Sequence, residues 1–305
     1  MLTYDAYHRP TELHEALALW RDAPEGSRLV SGATDLLPWA REGRAGDVHL
    51  PALIDLSRVA DLTGYRFENG HVQLGANTVY QDFLTNATLR RALPCMPYVA
   101  IWFADDQIRE VATLAGNLVN ASPVADGTPP AVALNGQVEL SRLDGDKIVS
   151  RRLAVRDFIT GPGRTVIEKG EILTRVYLDT CYGYGGAFQK VGQRRSLVIS
   201  VACCAALVKT DETGRVFEDV RLALGGVGPG PIRLDDAERM LRGERISEEL
   251  MLAAAGLAAD KVASRSRLEY RRDVVVSFVR AALQEALENS GAMQARKAKE
   301  DMANV

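Results

Sequence analysis

The sequence predicts an α+β protein with about two domains. Two observations point to strands in blocks. Apolar residues alternate over 137–143, Asp144-Gly145 turns the chain and 147–153 returns it, and the mainly apolar stretches 200–209 and 216–225 form a second hairpin around Asp211-Glu212-Thr213-Gly214. A third points to helices set apart from those blocks: helix-period stretches fall at 11–22, 247–260 and 270–288, with no regular βαβ alternation and no internal repeat. At 305 residues, 47% hydrophobic and 25% charged, the chain has ample length and ordinary composition for a buried core.

Taken in order, residues 11–22 read as a helix with Thr11 as cap and Leu13, Ala16, Leu17 and Trp20 on one face. A short strand at 27–30 enters Ser31-Gly32-Ala33-Thr34-Asp35, and a helix start follows at 36–41, with Pro38 tolerated in its first turn. Residues 52–56 and 72–76 read as strands, with Asn69-Gly70 as a hairpin turn before the second. Residues 78–93 are helical in character, with Thr78 as cap and Pro94 as stop. After the 137–153 hairpin comes a loop at 160–165 and a strand to Leu178. Tyr182-Gly183-Tyr184-Gly185-Gly186 marks a boundary near residue 180, either a linker or a close-approach loop. The turn formers of 225–231 read as a structural loop, and Ser290 to Val305 as a polar frayed tail.

Several function classes drop out. A net charge of −3 leaves no basic footprint for nucleic acid or an anionic membrane. No apolar run approaches the ~20 residues of a membrane span, and the N-terminus lacks signal-peptide character, so a cytoplasmic protein is expected. Cys95, Cys181, Cys203 and Cys204 lack the spacing of metal sites and read as buried free thiols, with adjacent Cys203 and Cys204 on opposite faces of a strand. His8, His14, His49 and His71 accompany no nucleophile turn or HExxH motif. No catalytic residue and no metal ligand set emerges.

What remains is binding. Ser31 to Asp35 and Thr113 to Asn117 string small and polar residues where a backbone could lie against an anion, although neither is a P-loop or a GxGxxG turn. Taken alone, 31–35 is more simply a tight surface turn. Phe103 is either a core aromatic or a stacking platform, and Asp126 either a turn residue or an acceptor for a sugar hydroxyl. The residues by themselves reach a large anionic, aromatic ligand such as a nucleotide cofactor.

The chain also resembles the FAD-binding medium subunits of molybdenum hydroxylases, the family of carbon monoxide dehydrogenase, xanthine dehydrogenase and 4-hydroxybenzoyl-CoA reductase. The resemblance spans nearly the whole chain. It is most specific in SGATDLL at 31–37 and QIREVATLAGNLVNASPVADGTPP at 107–130, with support from DFITGPGRT at 157–165, GEIL at 170–173, GGVGPGPIR at 225–233 and YRRDVVVSFVRAAL at 270–283. It implies an FAD-binding domain of the vanillyl-alcohol-oxidase type over 1–178, in two parts of about 1–55 and 56–178. A smaller α+β domain at 179–288, a sheet packed on helices, would follow, then the tail at 289–305.

Residue by residue, the resemblance places Leu29, Val30, Ser31, Gly32, Ala33, Thr34, Asp35 and Leu36 along the pyrophosphate and adenine. Thr113, Ala115, Gly116 and Asn117 would wrap the pyrophosphate and ribityl chain, with Ala115 standing where relatives carry the first glycine of T-L-G-G-N. That exchange requires a negative φ, or a Cβ turned away from the ligand. Phe103 would lie against the isoalloxazine; Asn120, Ser122 and Asp126 would bind ribose and adenosine groups. Leu173 and Lys190 would sit near the flavin, with Gln189 the alternative for the latter.

FAD would be the chain's only cofactor and noncovalently held, because the four-cysteine insertion of some relatives is missing and neither turn contains His or Cys. The molybdenum cofactor would reside in a large partner subunit and two [2Fe–2S] clusters in a small one, assembled as a heterotrimer or its dimer. Electrons would leave to an external acceptor. The alternatives are a self-sufficient flavoprotein oxidoreductase and a cofactor-free assembly subunit.

Overall fold

A computed structural model describes residues 1–41, 48–194, 198–263 and 266–291. Its first layer is a parallel sheet. Strand β1 (Leu2–His8), helix α1 (Leu13–Asp22), β2 (Arg28–Val30), α2 (Leu36–Arg41) and β3 (Val48–Asp55) follow one another, and the sheet order is β1-β3-β2. Both pairings are parallel, setting Leu2 beside Val48 and Val30 beside Asp55. The sequence reading contains neither β1 nor this local parallel pairing. An edge strand needs little buried surface, and β1 turns Tyr4 and Tyr7 outward, so it carries no strong alternation. Thr11 does not cap α1; residue 12 precedes the helix, and the Thr11 amide donates to the Glu15 carboxylate at 3.2 Å.

Strands β4 (Tyr65–Glu68) and β5 (His71–Gly75) form the expected hairpin, with Asn69 and Gly70 at φ of 52° and 78° as a type I′ turn requires. The expected helix over 78–93 is two short ones, α3 (Asp82–Thr85) and α4 (Ala87–Ala92). Asn86 divides them: its side chain accepts from the amides of Thr88 and Leu89, which starts a new helix rather than continuing the old. Helices α5 (Met96–Trp102), α6 (Asp106–Arg109), α7 (Leu114–Asn120) and α8 (Thr128–Ala133) lead to β6 (Gln137–Asp144) and β7 (Lys147–Ala154). After α9 (Val155–Phe158) and the small pair β8 (Ile159–Gly161) and β9 (Arg164–Thr165), β10 (Ile172–Asp179) completes an antiparallel sheet of order β4-β5-β10-β6-β7.

The C-terminal sheet, β11 (Gly185–Val191), β12 (Ala202–Thr210), β13 (Phe217–Gly225) and β14 (Ile232–Arg233), is antiparallel and is followed by α10 (Asp235–Leu241), α11 (Glu248–Gly256) and α12 (Leu268–Glu288). It is buried on both faces. Phe188, Cys203, Ala205 and Leu207 join the core of the first domain, whereas Ala187, Cys204, Ala206 and Val208 join a second core with α10 to α12. Cys203 and Cys204 therefore point to opposite faces, as strand alternation demands, and all four cysteines are buried and free.

The glycine-rich stretch at 182–186 is a close approach rather than a loose tether. A Cβ at Gly186 would lie 2.3 Å from the Pro94 carbonyl carbon, so β11 rides directly on the start of α5. Of the tail expected at 289–305, residues 292–305 lie outside the described residues. Among the described residues, no helix is long and apolar enough to cross a membrane.

Candidate functional site

The first half of the site grows out of β2. The chain leaves the sheet at Ser31 and turns at Ala33, which adopts a left-handed φ of 53°. Among the described residues, the amides of Gly32, Ala33, Thr34 and Asp35 find no acceptor, and the side chains of Thr34 and Asp35 make no hydrogen bond. These residues are half-buried or, at Asp35, exposed and lead into α2, so their amides are open to solvent and available to an anion. Ser31 anchors the turn from below: its hydroxyl donates to Asn77 Oδ1 at 2.9 Å, and Asn77 Nδ2 donates to the Leu56 carbonyl at 2.9 Å. Leu29, Val30 and Leu36, all half-buried, flank it.

The second half touches the first through backbone alone. A Cβ on Gly32 would fall 1.9 Å from the Val111 carbonyl oxygen, so only glycine lets the turn reach the strand-like segment before Thr113. That segment is fixed by an isolated antiparallel bridge between Val79 and Thr113, with Tyr80 N donating to Ala112 O and Leu114 N to Thr78 O, each at 3.1 Å. Thr113 then caps α7, its hydroxyl accepting the Gly116 amide at 2.9 Å.

Thr113 to Asn117 is therefore a helix start rather than an open turn. The amides of Leu114, Gly116 and Asn117 are hydrogen-bonded, and those of Thr113 and Ala115 find no acceptor among the described residues. Ala115 is helical, outside the left-handed region and buried, so its Cβ meets the condition set by the sequence. Gly116 is exposed, and a Cβ there would lie 2.9 Å from the Thr113 cap hydroxyl.

A residue absent from the sequence reading, Tyr80, joins the rest. It is fully buried, and its ring stacks on Phe103 with centroids 3.8 Å apart and planes 7° from parallel. Phe103 is thus covered by Tyr80 on one face and is half-buried overall. The Tyr80 hydroxyl donates to Asn117 Oδ1 at 3.1 Å, and the same oxygen takes the Gly127 amide at 3.0 Å. Burial, followed by the negative charges of Asp126 and Asp35, pushes the Tyr80 phenol well above its usual value, so it acts only as a neutral donor.

Next to Gly127, Asp126 is buried and accepts from Lys190 Nζ and from the Ser200 hydroxyl, each at 2.5 Å, while Lys190 also donates to the Trp102 carbonyl at 3.4 Å. Burial pushes the Asp126 carboxyl up, and Lys190 and Ser200 oppose that shift. The contacts close a circuit: Phe103 to Tyr80, to Asn117, to the Asp126–Gly127 corner, to Lys190 on β11, and back to Trp102. Lys190 rather than Gln189 faces this circuit; Gln189 donates to Glu285 of α12 at 2.6 Å. Ser200 was missed because its role depends on a partner 74 residues away.

The other expected residues are placed less uniformly. Ser122 starts the turn to Asp126, its carbonyl accepting the Ala125 amide at 3.0 Å. Asn120, half-buried at the end of α7, makes no side-chain hydrogen bond among the described residues. Leu173 is 5% exposed and packed into the core at a β10 irregularity, where the next residue's carbonyl accepts the Ala76 amide at 3.1 Å, one residue from Asn77.

A left-handed turn with open amides held against a capped helix, a stacked aromatic pair and a buried Lys190–Asp126 ion pair thus lie in one connected region, the candidate site of a binding protein. The chain belongs to the FAD-binding subunit family of the molybdopterin dehydrogenases. The FAD binding domain in molybdopterin dehydrogenase matches residues 2–179, and the CO dehydrogenase flavoprotein C-terminal domain matches residues 187–286.

The carbon monoxide dehydrogenase medium chain of Afipia carboxidovorans is 30% identical over 92% of this chain and 96% of its own length. The xanthine dehydrogenase FAD-binding subunit of Escherichia coli is 28% identical over 95% and 99%. The solved carbon monoxide dehydrogenase of Hydrogenophaga pseudoflava lacking the Mo-pyranopterin moiety superposes with a TM-score of 0.85 at 26% identity, covering 94% of this chain and 98% of that one. The chain is a flavoprotein subunit of the molybdenum hydroxylase type, an oxidoreductase component with the predicted α+β fold.

Proposed function

We propose that this chain holds FAD noncovalently and is the electron-transfer subunit of a three-subunit hydroxylase. Bound FAD would supply redox chemistry, passing electrons from the [2Fe–2S] clusters of a small partner, fed by the molybdenum centre of a large one, to an external acceptor. Support for the partners comes from the names and full-length coverage of the dehydrogenase relatives. The observation that carries FAD binding is the run of open amides at Gly32 to Asp35, locked against the α7 cap by the Gly32–Val111 contact.

On this reading the turn receives the diphosphate, with the Thr113 and Ala115 amides closing it from α7 and Gly116 leaving its path clear. Thr34 and Asp35 offer an unbonded hydroxyl and carboxylate, and Asn120 and Ser122 line the ribose and adenosine side, whereas Asp126, expected there too, is buried with both oxygens taken by Lys190 and Ser200 and braces the site from within. Phe103 presents its other face to a ring, backed by Tyr80; Lys190 and Leu173 complete the flavin end. A covalent thioether is disfavoured because burial pushes the Cys181 and Cys204 thiols up to about 12, leaving them protonated and away from both turns.

The test is the visible spectrum of the purified chain, which should show flavin bands, directly or after reconstitution with FAD. Gly116→Val puts a branched side chain at an exposed position beside the cap and should abolish flavin retention while leaving the circular dichroism of the fold in place. Near-normal flavin content in that variant would mean that α7 does not face the cofactor. Turnover of substrate by the chain alone, with no iron–sulfur or molybdenum partner attached, would disprove the relay.

A further inference from the structure

Phe103 sits in a segment whose conformation needs outside support. Helix α5 ends at Trp102, and the chain then turns through Ala104, which adopts a left-handed φ of 46°. A left-handed alanine is strained and persists only where its surroundings fix it. Here the surroundings are cations. The carbonyls of three successive residues, Trp102, Phe103 and Ala104, accept from positively charged side chains: Lys190 Nζ donates to the first at 3.4 Å, and Arg109 Nη1 to the second and third at 2.9 and 3.4 Å. Bonds from an ionised donor are stronger than neutral ones, and a guanidinium offers several in one rigid fork.

Lys190 is already committed to Asp126, but Arg109 has a wider reach. It is the last residue of α6, and its side chain is only 11% exposed. Its Nε donates to Gln81 Oε1 at 3.3 Å, and the Gln81 amide donates back to the Arg109 carbonyl at 3.2 Å. Gln81 directly follows Tyr80, whose ring covers Phe103. One guanidinium therefore spans the two backbone stretches that carry the stacked rings. Its remaining partner is the exposed carboxylate of Asp106, one turn back on α6. An arginine that served only α6 would need no more than Asp106; the contacts to Phe103, Ala104 and Gln81 all lie outside that helix.

We infer that Arg109 is the positioning residue of the aromatic platform. By tying the Phe103 and Ala104 carbonyls to Gln81, it fixes the plane and depth of the Phe103 ring. On the FAD reading, on which this consequence rests, the ring then sets how an isoalloxazine stacks, so Arg109 acts on the cofactor through Phe103.

The experiment titrates FAD into the flavin-free full chain by calorimetry. It compares wild type with Arg109→Ala, Arg109→Lys, Phe103→Ala and the double variant Arg109→Ala/Phe103→Ala. Amide exchange across residues 99–109 is followed by mass spectrometry before FAD is added. Arg109→Ala should bind FAD about fivefold more weakly than wild type, with faster exchange confined to that stretch. Arg109→Lys should recover part of the loss, because an ammonium replaces the charge but not the fork. In the Phe103→Ala background, Arg109→Ala should make no further difference, the mark of a residue that acts through the ring. Wild-type affinity in Arg109→Ala, or the same loss whether or not Phe103 is present, overturns the proposal. Faster exchange throughout the chain also overturns it, by making Arg109 a support of the fold at large. If wild type takes up no FAD, the cradle reading fails instead, and the exchange of 99–109 in the flavin-free chain still decides whether Arg109 holds the platform.

Discussion

At the scale of single residues, the site depends on side chains whose work is to hold others. Tyr80 sits between the aromatic platform and the helix that faces the 31–35 turn, and its hydroxyl shares Asn117 Oδ1 with the Gly127 amide. Tyr80→Phe keeps the stack on Phe103 and removes one neutral hydrogen bond, so it should lower stability by about 1 kcal/mol. Tyr80→Leu removes the stack as well and should lower it by a further 0.5–1.5 kcal/mol or so. Urea unfolding of the two variants checks the order; equal losses would mean that the stacked ring adds nothing to stability over a leucine. Burial raises the phenol so far that ionised Tyr80 plays no part near neutral pH.

Among elements, α7 is where local chemistry and function meet, because the hydroxyl that starts the helix also positions its first turn. Thr113→Ala removes the acceptor of the Gly116 amide and should cost about 1 kcal/mol of stability, with weaker FAD retention, whereas Thr113→Ser should restore both. Flavin titration monitored by fluorescence quenching reads the second effect; a Thr113→Ala chain that retains FAD like wild type would place the cofactor elsewhere.

Elements with a self-contained signal were legible in the sequence. Asn69-Gly70 and Asp144-Gly145 close hairpins through their own turn chemistry, and Ser247 caps α11 through the Leu250 amide. What was not legible depends on distant partners or competing local bonds. Asn86 splits a helix by capping the next one, β1 exists only against β3, and Tyr80, Asn77 and Ser200 acquire roles from residues 37, 46 and 74 positions away. Nothing in the sequence around Thr113 distinguishes an open turn from a capped helix start; the Val79 bridge decides it.

Across the whole molecule, the candidate site draws residues from both family segments, 2–179 and 187–286, so its geometry depends on how they are held together. Besides the Lys190–Asp126 pair, the joint is an ionic network around Arg221 of β13. Arg221 reaches Asp179 at the end of β10 at 2.8 Å and Asp219 at 3.2 Å, while Asp219 also accepts from Tyr184 and Arg242, each at 2.7 Å. Burial works against ionising Asp219, but the hydrogen bonds from Tyr184, Arg242 and Arg221 outweigh it and hold its carboxyl below the ordinary 3.8. A carboxyl lowered in the folded state stabilises fully above its unfolded value, and that contribution disappears as pH falls through the folded value. Asp219→Asn should therefore be less stable than wild type by roughly 1–2 kcal/mol near neutral pH. The gap should narrow toward zero as pH drops below 3.8 and through the folded value, because protonated Asp219 resembles the amide. Paired urea titrations along a pH series measure this. A gap that stays constant with pH would mean that Asp219 contributes through shape rather than charge, and that the interdomain joint does not rest on ionisation.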